Sequence, residues 1–355
     1  VDAVRILLVG AGAAVATKDV ESGLLRALTA AGEDVFYYSL ESRIDLARSW
    51  LHKLWRARGK VAEDRPTWPD AIYRGSIEAF EMALRFDVDW VLVISGMFFH
   101  PDVLELMRRA RLRTAVVLTE SPYEDDKQAT LAQIADVCWT TERTSVERLR
   151  ARYLRHAYDP DLHGPGLPID LEVPAHDVVF VGTGWQERID MLKSVDWSGI
   201  NLGLYGNWGL LGSRSPLRKF VRGGPVTNDS AAKLYARSKI GLNLYRSSTT
   251  YGRRVEHIQG AESMNPRAYE LAACSVFQVS DYRAEVAETF GDAVPTFSPG
   301  GLEDLLRAYL NDSPARRYAA RQARQRILPH TFAARAAQVL ADLADAEDRS
   351  WAKGA

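Results

Sequence analysis

The sequence has little of what usually classifies a chain at a glance. Its 355 residues hold two cysteines, Cys138 and Cys274, so a disulfide framework is excluded by number, and no His, Cys, Asp or Glu cluster has the spacing of a zinc site. Neither sign of charge dominates: 45 Lys and Arg stand against 46 Asp and Glu. A protein that grips nucleic acid mainly by charge is usually more basic than that. No apolar run approaches the length that spans a bilayer, and no basic leader with a cleavage site precedes the first strand. The expectation is a soluble, cytoplasmic protein with no membrane span and no bound metal. With 46% hydrophobic and 26% charged residues the composition is globular, and the length favours two domains.

What is present is an alternation of strands and helices. Val4–Val9 is an apolar run ended by Gly10-Ala11-Gly12, a helical pattern follows from about Val20 to Ala31, and Val35–Tyr38 is a second strand. Strand, glycine turn, helix, strand opens a doubly wound parallel sheet. The turn lacks the third glycine of the dinucleotide fingerprint, Val15 standing there, which argues against a nicotinamide dehydrogenase. Helix is expected over most of 41–86 and after His100-Pro101, strands at 90–94, 114–118 and 137–140, and a helix from about Ser145 to Leu154. Asp159–Pro168 breaks the periodicity with prolines and glycines and reads as a linker. Beyond it the same grammar restarts: strand 178–181, turn Gly182-Thr183-Gly184, helix 186–195, strand 202–205, helix 231–237, strand 240–244 and strand 276–279. Helices then run from Gly301 to the end. The fold class expected is α/β, two Rossmann-like doubly wound domains facing a central cleft. Their bounds are 1–160, a linker 161–177, 178–332, and a C-terminal helix 333–355 packing back on the first domain.

The most informative stretch runs from Glu262 to Cys274. Asn265 suits an N-cap and Pro266 the first helical position. The N–H groups of Arg267 and Ala268 are then expected to point out of the helix start, where an anion is favoured by the backbone dipole. Glu262 lies before this helix and Glu270 on its second turn. Spacing alone does not decide the matter, because Glu33 and Glu41 are also eight apart with no site around them.

Four stretches carry a family likeness: Glu120-Ser121-Pro122-Tyr123-Glu124, Tyr153 to Pro160, Val179 to Arg188, and Ser263-Met264-Asn265-Pro266-Arg267 through Asp281-Tyr282-Arg283. Over roughly residues 5 to 335 the chain resembles the GT-B glycosyltransferases, the CgeB-like group and the retaining family 4 in particular. The resemblance implies metal-independent transfer of a sugar from a nucleoside diphosphate-sugar donor, UDP or GDP, to an acceptor hydroxyl, without any other cofactor. It puts Glu262 on the donor sugar and Glu270 on the ribose. It also brings the turn Gly182-Thr183-Gly184 and a following arginine to the donor phosphates. Family 4 usually has glycine where Ser275 stands.

Stabilising a departing diphosphate is the main catalytic demand, and a planar guanidinium suits it. Arg188 is the first candidate and Arg246 the second, with Lys193 and Arg267 behind them. Gly206, Asn207, Trp208, Thr227 and Asn243 follow strands or open helices and are candidates for the donor pocket, as are Met264, Asn265 and Pro266. In the first half Gly12, His100, Glu120, Tyr123 and Glu124 are candidates for the acceptor. An inverting enzyme would need a base on the acceptor hydroxyl here, with Glu120, Glu124 or Asp125 as candidates. The acceptor is open between a glycan, a protein and a modified DNA base. Bunched arginines at 108–113, 143–155 and 214–222 could meet a polyanionic acceptor, but with a net charge near zero solvated helix faces are the better reading. Rival readings are a non-catalytic nucleotide-sugar or glycan-binding protein and a nucleotide-sugar epimerase.

Overall fold

In a computed structural model of the chain, residues 3–12, 17–164, 172, 175–249, 256–298 and 300–354 are described. Val15 and most of the expected linker lie outside them. The chain divides into two compact units. One takes the chain as far as Arg155 and again from Phe332; the other runs from His156 to Thr249 and ends at Thr331.

The first unit contains β1 (Arg5–Val9), α1 (Lys18–Ala30), β2 (Asp34–Tyr38), α2 (Leu40–Ala57), α3 (Trp68–Arg85) and β3 (Trp90–Ile94). It continues with α4 (Pro101–Arg109), β4 (Arg113–Leu118), α5 (Asp125–Ile134), β5 (Val137–Thr140), α6 (Val146–Leu149) and β6 (Arg152–Tyr153). All its strands are parallel, in the order β2-β1-β3-β4-β5-β6. Unbroken apolar runs such as Trp90–Ile94 are buried along their length, as strands covered by helices on both faces must be. One expected element differs. The helix from Ser145 stops at Leu149, because Arg150 turns left-handed at φ 51°, and Arg152-Tyr153 then pairs with Trp139-Thr140 as an edge strand. Two residues are too few to show a period of two, so sequence patterning could not reveal it.

The second unit contains β7 (His176–Val181), α7 (Gln186–Lys193), β8 (Leu202–Tyr205), β9 (Val221–Gly223), α8 (Asn228–Ala236) and β10 (Ser238–Asn243). Then come α9 (Pro266–Ala273), β11 (Phe277–Asp281), α10 (Ala284–Phe290), β12 (Thr296–Phe297), α11 (Leu302–Asn311) and α12 (Ser313–Ile327). Its parallel sheet has the order β12-β11-β10-β7-β8-β9.

The last helix, α13 (Phe332–Gly354), returns to the first unit. Two tryptophans of the sheet donate their indole N–H to it: Trp90 to Glu347 at 2.8 Å and Trp139 to Asp342 at 2.7 Å. Arg113 pairs with Glu347 and Arg152 with Asp342. Phe332 packs where a side chain on Gly23 would stand, its ring 2.2 Å from the position of a Cβ. The fold is therefore α/β with two doubly wound sheets, and its terminal helix closes on the first. Among the described residues no helix is long and apolar enough to cross a membrane.

Candidate active site

In the second unit the chain winds outward from β7 through β8 to β9 and, in the other direction, from β10 through β11 to β12. The two neighbours β7 and β10 thus form the switch point of the sheet, where the loops after them part and leave a crevice at their carboxyl ends. Gly182–Gly184 follow β7, Arg246 follows β10, and α9 starts beside both.

Arg267 ties the two strand ends together. Its Nε donates to the carbonyl of Val181 at 2.8 Å, and its Nη1 to the carbonyl of Leu244 at 3.3 Å and to Asn243 Oδ1 at 3.4 Å. Its guanidinium carbon lies 4.7 Å from the centre of the Phe180 ring. Arg188, on the first turn of α7, lies 5.4 Å from the same ring and donates to the carbonyl of Thr183 at 2.9 Å. Two guanidiniums thus share one aromatic ring at the switch point, an arrangement able to attract an anion.

A half-buried carboxylate balances them. Asp281, ending β11, accepts the N–H of Tyr245 with both oxygens, at 3.0 and 3.2 Å. Burial pushes its pKa up to about 6, against the pull of the Tyr245 N–H and of Arg283, Arg188 and Arg267. Arg283 donates to the carbonyls of Ala261 and Arg246 and lies 4.6 Å from the Tyr245 ring. Glu285 accepts the N–H of Met264 at 2.6 Å and gives its own N–H to the carbonyl of Glu262 at 3.0 Å. Glu187 accepts the N–H of Ser247 at 2.8 Å. Asp281, Arg283, Glu285 and Glu187 thus hold the loops that carry Arg246 and Glu262. Sequence reasoning assigned none of them a role. The signal was present, a charged pair, Asp281 and Arg283, at the end of the strand 277–281, but partners distant in sequence cannot be read from spacing.

The helix start behaves as its sequence predicts, with one correction. Asn265 caps α9 and Pro266 opens it, but Asn265 Oδ1 accepts the N–H of Ala268 at 3.1 Å, so that group is taken and does not point outward. Several other nominated residues are internal. Asn243 is fully buried and spends its amide on Tyr245 at 3.0 Å and Ser280 at 3.3 Å. Met264 is buried, with its N–H held by Glu285. Gly184 is buried beneath Trp208, whose ring lies 2.3 Å from where a Cβ would be. Trp208 is core. Thr227 caps α8 by accepting the N–H of Ser230 at 3.3 Å. Asn207 is exposed and Gly206 half-buried. Gly206 must be glycine: at φ 120° a Cβ would stand 2.2 Å from the carbonyl oxygen of Gly182. The close approach of these two turns shapes the end of the crevice.

Glu270 is buried on α9, and burial pushes its pKa up to about 7, with Arg267 acting in the opposite sense. His163 Nε2 lies 3.9 Å from its Oε1. Because the folded state holds this proton above the ordinary value of 4.5, stability contributed here falls as pH rises from 4.5 towards about 7. Glu270→Gln, which cannot ionise, should therefore be more stable than the parent at about pH 8 by on the order of 2 kcal/mol. The difference should vanish below the ordinary carboxylate value. Denaturant titrations at both pH values test this, and an offset independent of pH would refute it.

Ser275 has φ 55° and ends α9 in a Schellman turn: its N–H bonds Ala272 and the N–H of Val276 bonds Leu271, each at 3.0 Å. The left-handed backbone that suits glycine is kept although the residue is serine. Ser275→Gly should raise the unfolding free energy by about 1 kcal/mol, read from thermal melts, with the site geometry unchanged.

In the first unit the glycine turn after β1 is filled by the protein itself. The N–H of Ala11 donates to Glu21 Oε2 at 2.8 Å, and Glu21 is buried. A carboxylate takes an amide that a dinucleotide pyrophosphate would need, which argues against the dehydrogenase reading. Gly12 is buried against Phe98, 2.6 Å from where its own Cβ would be, so it offers no acceptor surface. His100 caps α4, its Nδ1 accepting the N–H of Asp102 at 3.3 Å. Glu124 is buried and paired with Lys127 at 2.9 Å. Glu120 and Tyr123 are half-buried in the loop after β4, the carbonyl of Glu120 accepting the N–H of Tyr123. Among the described residues no group of three or more His, Cys, Asp or Glu is arranged to hold a metal.

Residues 171–341 match the family model described as glycosyl transferase-like. These residues carry a glycosyl transferase-like domain, and the fold is that of the GT-B glycosyltransferases. It is 23% identical over 261 residues to the spore protein CgeB of Bacillus subtilis, an alignment covering 71% of this chain and 80% of that protein. Its fold is similar to that of α,α-trehalose 6-phosphate synthase from Burkholderia multivorans, with a TM-score of 0.64 at 12% identity over 100% of this chain and 99% of the other. A putative UDP-N-acetylglucosamine 2-epimerase from Listeria monocytogenes is similar too, with a TM-score of 0.59 at 12% identity over 98% of each chain. At such identities the likeness to solved structures speaks for the fold. The likeness to glycosyl transferases rests on the matched residues 171–341.

Proposed function

We propose that the second unit binds a nucleoside diphosphate-sugar, with UDP or GDP as the nucleotide, and that the enzyme transfers the sugar to an acceptor hydroxyl without a metal. The observation that carries this reading is the pair of guanidiniums, Arg188 and Arg267, on the Phe180 ring beside the capped start of α9. In a GT-B glycosyltransferase the departing nucleoside diphosphate gains negative charge as the sugar–phosphate bond breaks, and fixed cations near that oxygen lower the barrier. Glu262, in the loop before α9, bears on the sugar; Glu270, within α9, bears on the ribose.

Transfer proceeds with retention. The bond from the anomeric carbon to the phosphate oxygen breaks, and the bond to the acceptor oxygen forms on the same face. The acceptor proton goes to the leaving phosphate, so no protein base is needed. NMR of the anomeric proton in the product tests it; an inverted product would reassign the first step to a base such as Glu120. The acceptor is a glycan, a protein or a modified DNA base, with Glu120 and Tyr123 contributing to its binding. Two buried free thiols, Cys138 and Cys274, suit a reducing cytoplasm.

A thermal-shift panel of nucleoside diphosphates tests the donor. A ligand at a hundredfold excess over its dissociation constant stabilises the fold by about 2.7 kcal/mol, and UDP or GDP should raise the melting temperature while NAD should not. No shift with any nucleoside diphosphate would overturn the proposal. The epimerase reading is separated by incubating the donor alone: accumulation of a second nucleotide-sugar without acceptor would favour it.

A further inference from the structure

Two peptide groups just after β10 are each gripped at both polar atoms by charged side chains. In the group joining Leu244 to Tyr245, the carbonyl accepts from Arg267 Nη1 at 3.3 Å. Its N–H donates to both oxygens of Asp281, at 3.0 and 3.2 Å. In the group joining Arg246 to Ser247, the carbonyl accepts from Arg283 Nη2 at 3.2 Å and the N–H donates to Glu187 Oε1 at 2.8 Å. Each carbonyl thus meets a cation and each N–H a carboxylate, the strong form of a backbone hydrogen bond. Glu187 also accepts the hydroxyl of buried Ser248, at 3.1 and 3.3 Å to its two oxygens. Between the two gripped groups stand Tyr245, which is buried, and Arg246, which is half-buried. The Arg246 guanidinium lies 5.9 Å from the ring of Trp185, the N-cap of α7, and Glu187 and Arg188 follow on the first turn of that helix.

We infer that Glu187 is a positioning residue that aims Arg246 at the diphosphate of the donor; the inference rests on the donor reading above. A carboxylate beside Arg188 would repel a diphosphate if its charge were open. Here the Ser247 N–H and the Ser248 hydroxyl occupy it, and the first turn of a helix favours a negative side chain. Holding the peptide that follows Arg246 presets the direction in which its side chain leaves the backbone. The guanidinium then meets an anion with less ordering left to do at the moment of binding. One turn of α7 thereby serves two cations, Arg188 through the chain and Arg246 through the peptide after it.

A double-mutant cycle on nucleotide affinity, read by calorimetry with UDP and GDP, tests this. Glu187→Ala and Arg246→Ala should each weaken the nucleoside diphosphate that the parent binds by about tenfold, the size of one hydrogen bond to a charged group. The double variant should also lose only about tenfold, because Glu187 acts through Arg246. Affinity for the bare nucleoside, uridine or guanosine, should stay within about threefold in all three, since a residue that acts on the diphosphate leaves the rest of the ligand alone. The same cycle run with Glu187→Gln, which keeps an oxygen for the Ser247 N–H and so the fold, should show a smaller loss, about threefold, that disappears when Arg246 is replaced by alanine. Losses that multiply to about a hundredfold in the double variant overturn the inference. An equal loss of nucleoside affinity overturns it too, since it would make Glu187 a general support of the fold. Both results leave the donor reading standing, because the parent still binds the diphosphate. A parent that binds neither nucleotide overturns the donor reading and this inference with it.

Discussion

Arg188→Ala should lower turnover by about 10²–10³-fold, the range seen when one preorganised donor to a developing negative charge is removed. Arg188 is the stronger of the two site arginines for this test because Arg267 has a second task, joining the ends of β7 and β10 through three oxygen acceptors. Arg188 donates to the carbonyl of Thr183 and is buried against Phe180. Arg188→Lys keeps the charge but not the planar fork, so it should recover only part of the loss. Because Arg188 is buried, the melting temperature and the thermal shift with nucleoside diphosphate must be measured beside the rate. A variant that melts like the parent and loses turnover assigns the residue to the departing phosphate. A loss of rate that only follows a loss of folded protein would make it a packing residue.

Glu262→Gln should lower kcat by about 10²-fold while changing the affinity for bare nucleoside diphosphate by less than about threefold. Glu262 precedes α9, and its backbone carbonyl is fixed by the N–H of Glu285 at 3.0 Å. The amide keeps the shape and removes the charge. A carboxylate that bears on the sugar acts only when the sugar is present, so binding of the bare nucleotide is the control. Equal losses in rate and in nucleotide affinity would move Glu262 away from the sugar. Glu270→Gln is the contrasting variant, since its proposed contact is the ribose and its loss should weaken the bare nucleotide.

The difference between what was legible and what was not follows the range of the interactions. The cap at Asn265, the opening Pro266, the glycine turn after β7 and the parallel α/β class all depend on residues within a few positions of one another, and their patterns survive in the string of letters. The edge strands Arg152–Tyr153 and Thr296–Phe297 have two residues each and carry no period. Asn243 and Met264 follow or precede the right elements, yet their side chains turn into the core, which is a matter of packing.

By itself the sequence determined that this is a two-sheet α/β protein, where its main turns fall, and which helix has a capped Asn-Pro start. Those outcomes follow from local propensity, capping and hydrophobic period. Only the tertiary structure decided that Arg188 and Arg267 meet on the Phe180 ring, that Asp281 lies under three arginines, and that Glu21 fills the first glycine turn. Such pairings join residues from 8 to more than 80 positions apart. Their geometry is set by how the strands are ordered and covered, and burial then fixes the charges and pKa values at the site.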